Sequence, residues 1–392
     1  MTGMISSYDV AIIGMGTMGS FAALEVIERG ASVIGFDRFQ PPHSFGSHGG
    51  QSRIFRVAYP EGSGYVPMAQ QSGQLWDQLG ERFKTKLLHR SGMLYMGAAG
   101  ESFLGGIQES ARVHQLHLEN LDAWEVRERF PAFQIPDQYA GLFDPVAGWI
   151  DVDASIQQAH QQLRLLGAEV VLNTPVLRWH PDGAGVRVIT ANREVRATKF
   201  IFTAGAWTGP ILSELSLPLT VRRKVVTWFE PLVPELFAEG RAPVFTFPEN
   251  WLYGFPIFAG RGVKLAEHLG GLDIPNAGDP IAVPDGSDID PIRATASKYM
   301  PQLAGPPPGG AARLLDAITC LYTLTPDENF IVDFHPAHHQ VILAAGFSGH
   351  GFKFAPLMGI ALADLALQGQ TDVPIGFLGL SRFLGQASNI RL

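Results

Sequence analysis

Near the N-terminus an apolar run, Asp9-Val10-Ala11-Ile12-Ile13, leads into Gly14-Met15-Gly16-Thr17-Met18-Gly19. A helical pattern follows from Phe21 to Ile27 and closes at Arg29-Gly30. A second apolar run, Ser32 to Phe36, ends in Asp37. Strand, tight turn, helix, strand and acid in this order make a βαβ unit. Its helix N-terminus offers unpaired N–H groups and a positive dipole end to a pyrophosphate. Gly14 allows the turn, Gly16 lets the backbone approach the phosphates, and Gly19 lets the helix pack on the strand. Asp37 stands where a carboxylate accepts hydrogen bonds from an adenosine ribose. A glycine turn in an ordinary α/β sheet would account for the glycines but not for the acid, so a bound dinucleotide is expected. The fingerprint alone leaves NAD and FAD open.

The chain has 392 residues, which suits two domains, and 46% hydrophobic against 17% charged residues gives ample core. A net charge of -8, a pI near 5.8 and the lack of a basic run argue against a nucleic-acid partner. An acidic chain that binds an anion must do so with individual arginines and lysines. The single cysteine, Cys320, excludes an internal disulfide framework and fits a reducing, cytoplasmic setting. The N-terminus has no basic region ahead of its first apolar run, so no signal peptide is expected. Residues 341–367 are apolar but hold His350, Lys353, Pro356 and Asp364, so no membrane span is expected. The terminal Ile390-Arg391-Leu392 is not a convincing peroxisomal address, and none is expected. No heptad or adhesive strand is evident, which leaves the oligomeric state open in the sequence; a monomer and no metal site are the expectations.

Further along, residues 40–60 form a polar, Gly- and Pro-rich loop, Gln40 to Phe55-Arg56, of a length that is usually functional. It runs into a helix or strand. On a helix Arg53 and Arg56 would share a face, and the glycine-rich approach points them toward an anion. An amphipathic helix is predicted over 65–84 with Leu75, Trp76 and Leu79 buried, then a strand from Leu87 to Met96, then helix over 101–130. Asp151 to Leu166 reads as a helix capped by Asp151 or Asp153 and ended by Gly167, followed by a strand from Glu169 to Leu172. The strand Phe200 to Phe202 and the turn at Gly205 suit a return to the nucleotide sheet. Residues 220–275, rich in β-branched and aromatic side chains, predict a mainly antiparallel sheet. Helix over 288–304, a turn at Gly305 to Gly310, and strand Val341 to Ala345 follow. The strand enters Gly346-Phe347-Ser348-Gly349-His350-Gly351-Phe352-Lys353 and a closing helix through Leu367. Both ends of the chain thus read as strand, glycine turn and helix around a different kind of sheet. The expected fold class is α/β (α+β): a discontinuous nucleotide domain over 1–90, 151–218 and 318–392, with a substrate domain over 91–150 and 219–317.

The motifs at Gly14 to Asp37, Pro41 to Arg56, Tyr253-Gly254-Phe255-Pro256 through Lys264 and His268, and Cys320 to Lys353 occur in an order that identifies a family. The chain resembles the monomeric sarcosine oxidase family of flavin amine oxidases, which includes N-methyltryptophan oxidase and pipecolate oxidase. The resemblance covers nearly the whole chain. It implies an FAD-binding Rossmann-like domain of the glutathione-reductase type. It also implies FAD carried on Cys320 through an 8α thioether, with Tyr322 beside the link. Arg56 and Lys353 match the pair that holds the substrate carboxylate, and Tyr253 and His268 match positions above the flavin. Lys264 matches the lysine that activates oxygen near flavin N5; it is expected to stay cationic through a moderate downward shift from about 10.4. Arg53 and His48 match residues beside the ring. The remaining FAD positions implied are Thr17, Met18, His43 and Ser47 near the first turn, then Val176 and Gly205. Phe347, Gly349, His350, Gly351 and Lys353 complete them near the second. Two positions depart from the pattern. Gly49 replaces a second histidine and Val57 stands where a histidine is common, changes expected to alter the ring environment and open space.

The activity implied is oxidation of a secondary amino acid, N-methylated, N-substituted or cyclic, to an imine that hydrolyses, with oxygen reduced to hydrogen peroxide. A dehydrogenase of the same fold using another acceptor, and a noncatalytic FAD-binding protein, are the alternatives.

Overall fold

The computed structural model describes residues 6–384 apart from 60, 61, 63, 276 and 306–311. Most of the turn expected from Gly305 to Gly310 lies outside the described residues, as does Ile390-Arg391-Leu392.

Five parallel strands form the nucleotide sheet, in the order Glu169–Val171, Val33–Phe36, Ser6–Ile13, Glu194–Phe202 and His338–Ala345. Ile331–His335 adds an antiparallel edge, and the hairpin Arg178–Asp182/Gly185–Ile189 pairs with the first half of Glu194–Phe202. The parallel strands read as continuous apolar runs because both faces are covered. One face is covered by the helices Thr17–Glu28 and Ala355–Gln368, each buried almost all round. These two helices approach closely: a Cβ on Gly359 would lie 2.8 Å from the backbone of Phe21. The four turns that leave the C-terminal ends of Ser6–Ile13, Val33–Phe36, Glu194–Phe202 and His338–Ala345 converge, and they begin at Gly14, Asp37, Thr203 and Gly346. Ligands of open α/β sheets bind at such ends.

The fingerprint helix sits where its glycine spacing requires. A Cβ on Gly19 would lie 1.9 Å from the Gly14 carbonyl oxygen. Gly19→Ala is therefore expected to destabilise the fold by about 1–3 kcal/mol and to lower dinucleotide content, read by thermal unfolding and by flavin absorbance of the purified protein.

A second, mainly antiparallel sheet of nine strands is built on Thr220–Glu230, which pairs along its length with Arg313–Leu324. It continues through Val263–Glu267, Leu252–Phe255 and Val244–Thr246 to Met93–Ala98, Tyr139–Asp144 and Glu119–Asp122. Among the described residues its one parallel contact joins Val244–Thr246 to Met93–Ala98. A small third sheet joins Ser52–Phe55, Gly148–Asp151 and Leu88–His89. The boundary expected at 318 falls inside Arg313–Leu324, and the one at 150/151 falls inside Gly148–Asp151.

Two local expectations are corrected, and of the helix and strand left open after the loop the strand is found. The single strand expected from Leu87 to Met96 is two, Leu88–His89 and Met93–Ala98, in different sheets; the chain bends between them at Gly92, with φ 74°. The helix expected over 101–130 is Ser102–Val113, then strand Glu119–Asp122, then Ala123–Arg129, which starts at a capping box of Asp122 and Glu125. Arg53 is on a strand, Ser52–Phe55, and Arg56 follows it, so no helix face joins them. The helix Val152–Leu165 is capped by Asp151, whose side chain accepts from the Ala154 N–H. No helix among the described residues is long and apolar enough to cross a membrane.

Candidate active site

Two adjoining cavities lie between the sheets. The larger, about 260 Å³, runs along the converging turns and is lined by Gly14, Gly16, Thr17 and Met18, by Asp37, and by His43, Ser47 and His48. Val176, Gly205, Phe347, Gly349 and Gly351 close it. The smaller, about 90 Å³, is lined by Arg56, Lys353, Tyr253, His268 and His350. Arg53, Tyr322, Gly349 and Phe352 belong to both walls. Of the residues expected from sequence, Gly19, Cys320 and Lys264 line neither cavity, while His350 and Lys353 face the smaller one only.

The larger cavity suits a dinucleotide. Asp37 is held by the Met15 and Phe39 N–H groups, each 2.8 Å from a carboxylate oxygen, and burial raises its pKa to about 6 despite both bonds. A Cβ on Gly205, whose φ is 54°, would meet nothing within 4 Å. Two buried polar atoms of the lining, Trp207 Nε1 and Thr323 Oγ1, have no hydrogen-bond partner in the protein. Orphaned polar atoms in a roomy, glycine-walled cleft fit a ligand with polar groups of its own. His48 accepts from the His43 N–H at 3.1 Å through Nε2. Burial holds both histidines well below the usual imidazole range, His43 at about 4, and the neighbouring His43 and Arg53 add to the effect on His48. The space expected beside Gly49 is taken up by the loop itself, since a Cβ there would lie 3.2 Å from Ser44 Cα.

Arg53 organises the junction. Its guanidinium donates to the carbonyls of Ser47 (2.8 Å), Gly49 (2.6 Å) and Ser52 (2.8 Å), and reaches Cys320 Sγ at 3.4 Å. Cys320 is a free, buried thiol opposite Lys224 in the sheet. The chain carries it beside the larger cavity through Leu321, whose N–H donates to the Gly46 carbonyl at 3.3 Å. Lys264 is buried behind the same loop and donates to Gly50 O (2.7 Å), Ser52 O (2.8 Å) and Ser52 Oγ (2.9 Å). Its pKa is lowered well below the lysine range, chiefly by burial and then by Arg53. That is a larger shift than the moderate one expected. Three acceptors favour the ammonium, while burial favours the amine.

In the smaller cavity Arg56 donates to the Ala58 carbonyl at 2.9 Å and lies 4.3 Å over the Tyr59 ring. Lys353 follows the Gly349 to Gly351 turn in a short 3₁₀ segment, Phe352–Phe354, and its carbonyl accepts from Ser72 Oγ and from Trp76 Nε1. Tyr322 Oη is 3.4 Å from His268 Nδ1, and Trp251 stacks on His268 at 5.5 Å. Burial raises the pKa of Tyr253 and of Tyr322. Tyr59, Ser52, Phe103 and Trp251 were not singled out from sequence. Tyr59 lies three residues past Arg56, but nothing in the pattern shows its ring turned back beneath that guanidinium. Among the described residues no group of three or more His, Cys, Asp or Glu could hold a metal ion.

Comparison with known proteins agrees with this geometry. The family model described as FAD dependent oxidoreductase matches residues 9–365. The chain is 36% identical over 389 residues to a monomeric sarcosine oxidase of Bacillus sp. (strain B-0618), covering 97% of each protein. It is 34% identical to an N-methyl-L-tryptophan oxidase of Yersinia pestis (strain Pestoides F), covering 96% of this chain and 99% of that protein. In fold it is similar to NikD, an amino acid oxidase of nikkomycin biosynthesis, with a TM-score of 0.83 at 24% identity over 95% of this chain and 97% of that one. Glycine oxidase from Geobacillus kaustophilus gives 0.82 at 20% identity over 97% and 100%. With a glycine-turn cleft, an acid on its second strand and a family match over nearly its whole length, the chain belongs to the FAD-dependent oxidoreductases.

Proposed function

We propose that this protein is an oxidase of secondary amino acids, N-methylated, N-substituted or cyclic, that yields an imine and hydrogen peroxide. The observation that carries this reading is the pair of cavities sharing the walls of Arg53, Tyr322, Gly349 and Phe352, with the cations of Arg56 and Lys353 in the smaller one. When bound, FAD supplies two-electron acceptance from the amine carbon and delivery to oxygen. Arg56 offers a planar fork and Lys353 a point charge to the substrate carboxylate. Held there, the substrate nitrogen sits in a field of positive charge that disfavours its ammonium and favours the neutral amine needed for oxidation. Tyr253, His268 and Tyr322 wall the reacting end and limit water. The relatives' names and the two cations of the smaller cavity together support an amino acid with a free carboxylate over a simple amine. A lone cysteine fits a reducing setting such as the cytoplasm, and the name of the monomeric sarcosine oxidase relative supports a monomer.

Cys320 is proposed to carry FAD covalently. Its sulfur lies 3.4 Å from the Arg53 guanidinium, and its neighbour Leu321 is tied to the cleft loop. Acid-precipitated protein is expected to stay yellow, and Cys320→Ser protein to release its flavin into the supernatant. A colourless wild-type pellet would reject the bond. The activity is tested by anaerobic bleaching against sarcosine, larger N-methyl amino acids, pipecolate and proline. Peroxide formed in air, one per substrate consumed, separates an oxidase from a dehydrogenase with another acceptor.

A further inference from the structure

We infer that Tyr59 is a positioning residue that sets the geometry of the Arg56 and Lys353 pair, and that His350 anchors it. The inference rests on the reading that this pair receives the substrate carboxylate. Tyr59 is 1% exposed and touches both cations. The Arg56 guanidinium lies 4.3 Å over its ring, and Lys353 Nζ donates to its hydroxyl at 3.1 Å. The same ammonium donates to the His350 carbonyl at 2.8 Å. The Tyr59 hydroxyl is 2.6 Å from His350 Nδ1.

The proton positions follow from the far end of the chain. His350 Nε2 is 3.0 Å from the Glu328 carbonyl oxygen. A carbonyl only accepts, so Nε2 carries the hydrogen. In the neutral ring Nδ1 is then an acceptor, and the Tyr59 O–H donates to it. That leaves the phenol oxygen's lone pairs directed at Lys353. The sequence Lys353 to Tyr59 to His350 to Glu328 is therefore a one-way line of donors that ends on the backbone of a tight turn, where Glu328 has φ 57° and its N–H bonds Thr325 O. The Lys353 backbone is pinned separately by Ser72 and Trp76. With its root and its tip both held, a long side chain loses little entropy when it meets a carboxylate.

The test uses the holoenzyme and two readouts, the dissociation constant of 2-furoate from flavin absorbance perturbation and the limiting rate of anaerobic flavin reduction. Tyr59→Phe keeps the ring under Arg56 and removes the hydroxyl. It is expected to weaken 2-furoate by about tenfold while the limiting rate changes by less than about threefold. His350→Asn leaves an acceptor near the Nδ1 position and is expected to retain most of the affinity, whereas His350→Leu should match Tyr59→Phe. Unchanged 2-furoate affinity in Tyr59→Phe, a limiting rate that falls as far as the affinity, or equal losses in the two His350 variants would overturn the assignment. Failure of the wild-type holoenzyme to bind 2-furoate would remove the carboxylate clamp itself, and this assignment with it.

Discussion

Lys264→Met is expected to slow reaction of the reduced protein with oxygen by about 10²–10³-fold, with anaerobic reduction by substrate changed by less than about threefold. The side chain is 3% exposed, with an apolar wall of Phe255 at 4.5 Å and Trp228 at 5.9 Å and three oxygen acceptors at its tip. Burial and Arg53 draw it toward the neutral amine. Negative charge arriving nearby would oppose that bias and favour the ammonium. A preorganised charge in a dry pocket contributes far more than one in water. Methionine is unbranched and of similar length, so it fills the space without the charge. Stopped-flow measurement of each half-reaction checks this, and equal slowing of both would reject the assignment.

Arg56→Met is expected to have the opposite signature, a loss of about 10²–10³-fold in kcat/KM with the oxygen reaction unchanged. In the proposed function the planar fork would pair with both carboxylate oxygens, and its removal would leave Lys353 to hold the substrate. Arg56→Lys should recover only part of the loss, because an ammonium keeps the charge and not the fork. The apparent dissociation constant from anaerobic bleaching is the direct readout. A loss smaller than about tenfold would show that Lys353 carries the substrate without it.

The nucleotide sheet was legible because its signals are local and periodic. Apolar runs, glycine spacing and a terminal acid each report on a few consecutive residues, and Ser6–Ile13, Thr17–Glu28 and Val33–Phe36 stand where they point. The same holds for the helix Val152–Leu165, announced by Asp151 and closed near Gly167. Legibility failed where tertiary pairing decided the outcome. Glu119–Asp122 carries little strand propensity and is a strand because Tyr139–Asp144 lies beside it. Leu87 to Met96 reads as one apolar run, yet Gly92 divides it between two sheets. Within the candidate site, residue types with an obvious charge were found from the motifs. Tyr59 and Trp251 were not, since an aromatic in an apolar stretch looks the same whether it supports a cation or fills a core. The depression of the Lys264 pKa was underestimated for a related reason: depth of burial belongs to the folded chain and leaves no mark on its neighbours in sequence.

Tyr322 and Gly349 face two chambers at once. Whatever enters the small one therefore leans on the same atoms that frame the large one, and the colour of the loaded protein becomes an internal gauge of occupancy. Inert mimics should tint the spectrum as readily as molecules that react, so recognition can be titrated by eye before any turnover is measured.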